Sequence, residues 1–105
     1  VYLGTPVDQI VAMTVERTSA GAIIKATGQT VRQGAFYVRL VSETDGEPVD
    51  GVLTLEMKAV QPVNMPQGPE RVRRATAGYF VTNQDLAGIQ TIRVLAARNT
   101  HSTRR

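Results

Sequence analysis

The sequence predicts an all-β fold, an antiparallel β-sandwich of about seven short strands, and three observations lead to this prediction. Apolar and polar residues alternate along several segments, most regularly in VLTLEMKAV at 52–60, as they do in strands that bury one face. Asp-Gly pairs at 45–46 and 50–51 lie between two segments rich in β-branched residues, which is a strong hairpin signal. No stretch keeps the roughly 3.6-residue period of an amphipathic helix over about 11 residues.

The first two strands are predicted at residues 9–17 and 22–27. In the first strand Val11, Met13 and Val15 share one face, and the second strand is apolar until Lys25. The segment between them, TSAG at 18–21, ends in a glycine that supplies the positive φ of many turns.

The Asp-Gly hairpin is predicted to join strands at 35–42 and 52–60. Alternation in the first of these strands places Phe36, Val38 and Leu40 inward and Tyr37 and Arg39 outward. The residues expected to form the core from these strands and from the last strand are Phe36, Val38, Leu40, Leu53, Leu55, Ile92 and Val94.

The remaining strands are predicted at 71–76, 79–82 and 89–97. QPVNMPQGP at 61–69 holds three of the five prolines, so we expect it to be the longest irregular loop. Residues 71–76 are heavily charged, which favours a position at a sheet edge. NQDLAG at 83–88 is expected to form a turn, or one helical turn capped by Asn83.

The domain organisation is expected to be simple. A chain of 105 residues forms one domain and can bury a core without disulfides. Residues 1–8 are interpreted as an N-terminal extension, 9–97 as the β-sandwich and 98–105 as a basic flexible tail, because the tail has no apolar residue to bury. No segment has the roughly 18 apolar residues of a membrane span. The chain begins without Met, so we interpret it as an excised or processed piece, from which a leader or a lipid-modified cysteine before Val1 could have been removed.

The net charge of +3 is unevenly distributed along the chain. Residues 1–56 carry four basic and seven acidic side chains, whereas residues 57–105 carry eight basic and two acidic ones. We interpret the excess as a solvated basic face and expect no nucleic-acid partner, because stacking and groove-reading elements do not accompany it. The absence of cysteine excludes thiol catalysis and thiolate metal sites.

No catalytic, cofactor or metal site is predicted, and the protein is not expected to be an enzyme. The single histidine, His101, lies in the polar tail, where a site would not be held rigidly. The carboxylates of ETDGEPVD at 43–50 lack the spacing of a calcium loop and are interpreted as turn residues, with a weak calcium contact as the alternative. Met57 and Met65 are assigned to core and loop packing rather than to a copper site with His101.

The strongest candidate binding surface is the loop at 61–69 with the arginines that follow it. A proline-stiffened loop loses little entropy on docking, and adjacent guanidinium groups recognise carboxylate or phosphate bidentately. The alternative is a crossover between sheets followed by a charged edge strand. The candidate partner-binding residues are Asn64, Met65, Gln67, Arg71, Arg73 and Arg74.

Two segments resemble known modules. DGEPVDGVLTLEM at 45–57 resembles the DG-x-P-V-x-G-x-V-x-L cassette of extracellular immunoglobulin-like and transthyretin-like modules, and AGYFVTNQDLAGIQTIRVLAA at 77–97 resembles their later G-Y…L-x-G…T-I-x-V element. Together with ATGQTVRQGAFYVRL at 26–40 and the Arg-Arg ending, the pattern is similar to an uncharacterised family of small bacterial envelope proteins, often lipoprotein-like. The resemblance implies an immunoglobulin-like sandwich in the bacterial envelope or periplasm and brings no binding residues with it.

These observations lead us to expect a non-catalytic binding or structural module for a protein or another envelope component. A small-ligand or metal (copper or calcium) carrier and an accessory domain of a larger envelope enzyme are the alternatives. No cofactor is expected. The protein is expected to be a monomer or weak homo-oligomer. Contact with a membrane is expected only through a lipid anchor on the full-length form, removed from this chain.

Overall fold

The computed structural model describes residues 2–62 and 65–104, and these form an all-β sandwich. A 3₁₀ turn at Glu70–Arg73 and one helix, α1 (Asn83–Leu86), interrupt the strands. The strands in chain order are β1 (Thr5–Pro6), β2 (Gln9–Arg17), β3 (Gly21–Gln29), β4 (Phe36–Val41), β5 (Val52–Val60), β6 (Arg74–Thr82), β7 (Thr91–Leu95) and β8 (Thr100–Arg104). None of the helices in the described part of the chain is long and apolar enough to cross a membrane.

Two sheets form the layers of the sandwich. In the smaller sheet β3 lies between β2 and β6, and both pairs are antiparallel. In the larger sheet β5 is central: β4 pairs antiparallel along one edge, while β7 and the short β1 share the other edge, and β8 extends the sheet beyond β7. The predicted all-β fold, a mostly antiparallel β-sandwich, is therefore confirmed, with eight described strands and one parallel pair among them, β5 with β7.

The predicted hairpin between β4 and β5 is confirmed. Asp50 and Gly51 both have positive φ, 53° and 79°, as a tight two-residue turn with the favourable twist requires. Val49 and Val52 flank this turn and exchange both backbone hydrogen bonds at 3.0 Å. Asp45 and Gly46 also have positive φ, and Gly46 is buried beneath the Tyr79 hydroxyl.

The core lies between the two sheets and is built from small and medium apolar side chains. Alternation along β5 and β7 buries the expected residues, with Leu53, Leu55, Ile92 and Val94 fully buried and Leu40 nearly so. Gly28 on β3 allows Met57 to approach closely, since a Cβ at this glycine would lie 2.7 Å from the Met57 sulfur. Close contact between the layers therefore depends on this small residue.

The expected inward orientation of Phe36 is wrong, because 46% of its surface is exposed. The β4–β5 register runs from Phe36 opposite Val60 to Arg39 opposite Lys58, so β4 holds one extra residue. Tyr37 accommodates it with a φ of 51°, and a bulge of this kind shifts the alternation of the strand. Phe36 and Tyr37 are both exposed as a result, and the expected core residue Val38 is only half-buried.

The expected N-terminal extension and flexible tail are both parts of the sandwich. Before β2, the short β1 pairs with β5, and Val7 is fully buried. At the other end of the chain, β8 pairs with β7 from Thr100 to Arg104. Backbone hydrogen bonds of 2.8 and 3.0 Å join Ala97 to Val7 and Arg98 to Asp8. The tail prediction failed because the backbone of β8, rather than apolar side chains, holds this segment.

Two smaller expectations also need correction. The strands predicted at 71–76 and 79–82 are one strand, β6, because the chain forms a 3₁₀ turn up to Arg73 and extends from Arg74. The helical turn forms as predicted, but its N-cap is Thr82 rather than Asn83. The Thr82 hydroxyl accepts a 3.2 Å hydrogen bond from the backbone of Asp85.

Candidate binding sites

The first candidate site is an exposed cluster at one end of β4, which we call the aromatic patch. Two of its side chains are among the most exposed large apolar groups in the described chain, Leu3 at 77% and Tyr37 at 71%. They border a shallow depression of about 580 Å³. The residues of the patch are Tyr2, Leu3, Phe36, Tyr37, Arg39 and Val60.

The β4 bulge brings two aromatic rings together in this patch. The extra residue exposes both Phe36 and Tyr37 instead of burying one of them. Their ring centroids are 5.1 Å apart at an interplanar angle of 61°, an edge-to-face arrangement. Left-handed backbone at a bulky residue such as Tyr37 is uncommon and costs free energy, and such strain clusters at functional sites.

The segment before β1 completes the aromatic patch. Tyr2 reaches β4, where its hydroxyl donates a hydrogen bond to the Tyr37 carbonyl. The guanidinium carbon of Arg39 lies 5.1 Å from the centre of the Tyr2 ring, within the range of a cation–π contact. Desolvation by burial raises the pKa of the Tyr2 phenol above its ordinary value, although the charges of Arg39 and Lys58 lower it.

The second candidate site is a polar cavity of about 440 Å³, which we call the Arg73–Arg98 cleft. It lies where the start of β2, the end of β3, the proline-rich loop and the segment before β8 meet. It contains two guanidinium groups, one carboxylate and three glutamine side chains. The residues that line it are Asp8, Gln9, Gln29, Val31, Gln67, Arg73 and Arg98.

Arg73 is fixed in this cleft by the backbone around Thr30. One terminal nitrogen of its guanidinium donates to the Thr30 carbonyl at 3.1 Å and to the Val31 carbonyl at 3.4 Å. The Arg73 carbonyl in turn accepts from the Thr30 amide and hydroxyl at 2.7 and 2.9 Å. The Arg73 Nε is buried and has no hydrogen-bond acceptor among the described residues.

Arg98, which also lines the cleft, is held by Asp8. Its Nε and one terminal nitrogen donate to the two carboxylate oxygens at 2.8 and 2.7 Å, a bidentate ion pair. The hydrogen bond and the negative charge of Asp8 raise the pKa of Arg98 above its ordinary value. The guanidinium orientation is therefore fixed although the side chain is largely exposed.

The structure brings only part of the predicted partner-binding set together. Gln67 and Arg73 line the cleft, whereas Asn64 lies outside the described residues. The exposed Met65 accepts a hydrogen bond from Arg32 through its carbonyl. Arg71 is exposed at the 3₁₀ turn. The exposed Arg74 donates to the Gln29 side chain at 3.3 Å.

Sequence reasoning missed most residues of both sites. Asp8 and Arg98 were assigned to an extension and a tail, and only the strand pairing at the two chain ends brings them together. Tyr37 has positive φ but is neither glycine nor asparagine, the residues that usually adopt it. The sequence pattern therefore does not predict the bulge that exposes Phe36. The one available signal was the concentration of aromatic residues in Phe36-Tyr37.

Within residues 2–62 and 65–104, no group of three or more histidine and carboxylate side chains could hold a metal ion. His101 is half-buried on β8 opposite Val94, and Met57 is fully buried in the core. Comparison of the chain with protein-family models, curated proteins and solved structures finds no match.

Proposed function

We propose that this protein is a non-catalytic binding module of the bacterial envelope that recognises a partner protein through its aromatic patch. The observation that carries the proposal is the exposure of Phe36 and Tyr37, next to Leu3, on a strained bulge. These exposed side chains bury little apolar surface in the fold, so they contribute little hydrophobic stabilisation. Exposed apolar clusters of this kind are typical of interaction sites.

The composition of the patch favours a protein as the partner. Tyrosine, phenylalanine and arginine are enriched in protein–protein interfaces, and tyrosine and arginine dominate their energetic hot spots. The edge-to-face pair of Phe36 and Tyr37 and the stacking of Arg39 on Tyr2 restrict the motion of these side chains before any partner arrives. Restricted side chains lose less conformational entropy on binding.

The edge of β4 supports docking by side chains rather than addition of a partner strand. Bulges and charged residues such as Arg39 are devices that prevent edge-to-edge pairing of sheets. The bulge at Tyr37 interrupts the backbone ladder near the start of the short β4. We therefore expect the contact to use the faces of the aromatic rings.

The envelope location and the absence of catalysis are further parts of the proposal. The location derives from the resemblance of residues 45–57 and 77–97 to envelope sandwich modules. A non-catalytic role agrees with a chain that has one histidine and no cysteine, and whose two candidate sites are both binding surfaces.

Site-specific photocrosslinking in the native envelope tests this proposal. A photoreactive phenylalanine analogue at position 37 should give one dominant adduct with another protein. The same analogue at Phe80, which is also exposed but lies on β6, serves as the control. Unlabelled wild-type protein should compete with the photoreactive protein for this adduct. The double variant Phe36→Ser and Tyr37→Ser should not compete, and it should keep its stability because both side chains are exposed.

The distribution of adducts decides the outcome. A partner captured from position 37 and not from position 80 supports the proposal. Equal capture at both positions, or none at position 37, contradicts it.

A further inference from the structure

We infer that the Arg73–Arg98 cleft is a second binding site, specific for a small molecule or chain end that carries a single carboxylate. The residues of this site are distinct from those of the aromatic patch. The inference is therefore independent of the proposed protein partner.

The first argument is the state of Arg73. Its guanidinium is half-buried and is oriented by two backbone carbonyls, which engage only one of its nitrogens. The buried Nε has no acceptor, and Arg73 forms no ion pair with another described side chain. A partly buried cation with unused donors is costly for the folded protein. An anion that enters the cleft would supply both the missing charge and the missing acceptor.

The second argument is the geometry of Arg98. Asp8 engages its Nε and one terminal nitrogen, so the other terminal nitrogen keeps its donors for a ligand. Asp8 also neutralises the charge of Arg98, and a rigid ion pair presents a fixed donor at little entropic cost. Arg73 approaches the cavity from the 3₁₀ turn and Arg98 from the segment before β8. The two arginines have different roles, because Arg73 supplies net charge and Arg98 supplies direction.

The third argument concerns which anion fits. The arginines and Asp8 give the cleft a net charge of about +1, which matches a carboxylate better than a phosphate dianion. The amides of Gln9 and Gln67 offer donors and acceptors for a polar group beside the carboxylate. Val31, which is half exposed, offers a small apolar wall. A cavity of about 440 Å³ lies within the usual size range of small-ligand pockets.

The carboxylate could belong to a small organic acid or to the C-terminus of a peptide, since both present the same group. Titration of the ¹⁵N-labelled protein separates these sources with defined probes. Acetate and N-acetylalanine represent the free acid and the chain end, N-acetylalanine methylamide lacks the carboxylate, and inorganic phosphate is the competing anion. The arginine Nε–H signals report on Arg73 directly, and backbone signals near Thr30 and Gln67 report on the walls.

We expect saturable shifts of the Arg73 Nε–H signal with both carboxylate probes and none with the methylamide. Tighter binding of N-acetylalanine than of acetate identifies the chain end, and equal binding identifies a small acid. Arg98→Gln should weaken binding at least about tenfold, as expected for the loss of a charge-assisted contact. Arg93→Gln is the matched control, because Arg93 is exposed on β7 and donates to Thr54, away from the cleft.

Gln67→Ala provides a second variant that does not disturb the Asp8–Arg98 pair, and it should weaken N-acetylalanine more than acetate. The inference is wrong if the shifts are linear and spread over the surface. It is equally wrong if binding survives Arg98→Gln at full strength, or if phosphate binds more tightly than either carboxylate.

Discussion

At the scale of single residues, the side chain of Asn99 joins the two sheets. Its Oδ1 accepts a hydrogen bond from the Ile10 amide at 2.7 Å, and its Nδ2 donates to the Ile10 carbonyl at 2.9 Å. The β2–β3 register shifts between Ile10 and Ala12, so these backbone groups lie at an irregularity of the ladder. One amide side chain therefore replaces the partner that a regular strand would have provided.

Asn99→Ala should lower the free energy of unfolding by about 1–3 kcal/mol, because it leaves a partly buried amide and carbonyl of Ile10 without partners. Urea denaturation measures the loss. Asn83→Ala is the control, since Asn83 donates one exposed hydrogen bond to the Ser19 carbonyl and should change stability much less. Equal losses in the two variants would show that Ile10 finds other partners.

Tyr2 makes the stability of the aromatic patch depend on pH. Its pKa is raised in the folded protein, mainly by desolvation, so folding favours the neutral phenol. This contribution is fully present below the unfolded pKa of about 10 and is lost as the pH rises through the higher folded value. Ionisation also removes the hydroxyl donor to the Tyr37 carbonyl.

We therefore expect the wild-type protein to lose more stability than Tyr2→Phe between neutral pH and about pH 11. Urea midpoints of the two proteins at several pH values measure the difference. A constant difference between the two proteins over this range would contradict the assignment.

At the scale of elements, the sequence pattern predicts the strands that are defined by their own side-chain alternation and turn residues. The β4–β5 hairpin could be predicted because Asp50-Gly51 has a backbone preference of its own and β5 alternates without interruption. The bulge at Tyr37 could not, because it depends on how β4 matches β5 across the sheet. A small part of the candidate cleft could be predicted for the same reason. Gln67 and Arg73 belong to or follow a recognisable loop, whereas Asp8 and Arg98 meet only through tertiary pairing.

The strand β8 shows the limit of side-chain patterns most clearly. Its five residues are polar and mostly exposed, yet its backbone pairs with β7 along its whole length. Deletion of residues 100–105 should therefore lower the melting temperature by at least about 5 °C, since several net-favourable backbone hydrogen bonds are lost.

A variant with Thr100→Ala and Thr103→Ala keeps this backbone and should melt close to the wild type. Thermal unfolding followed by circular dichroism compares the three proteins. A deletion that melts within about a degree of the wild type would restore the interpretation of this segment as a free tail.

At the scale of the whole molecule, the strands place charges of opposite sign at opposite ends. The acidic turn at 43–50 precedes β5. Pro48 lies beside Gly88, just after α1, and Gly46 lies beneath the Tyr79 hydroxyl, so this turn is at the end of the sandwich that holds α1. The loop and 3₁₀ turn that carry Arg71 follow β5 at the other end. The nine residues of β5 separate these ends by about 25 Å within a body 44 Å long. The clustered charges at the two ends give a dipole along the sandwich, although Arg17 and Arg104 lie at the acidic end.

This dipole should orient the protein on a negatively charged surface, with the Arg71 end in contact. Arg71→Glu and Arg17→Glu change the net charge equally, but Arg17 ends β2 at the acidic end of the sandwich. On a cation-exchange resin, Arg71→Glu should elute at clearly lower salt than Arg17→Glu, because the field of clustered charges dominates adsorption within a Debye length. Both side chains are exposed, so neither change should unfold the domain. Identical elution of the two variants would mean that only net charge matters and that the basic end has no steering role.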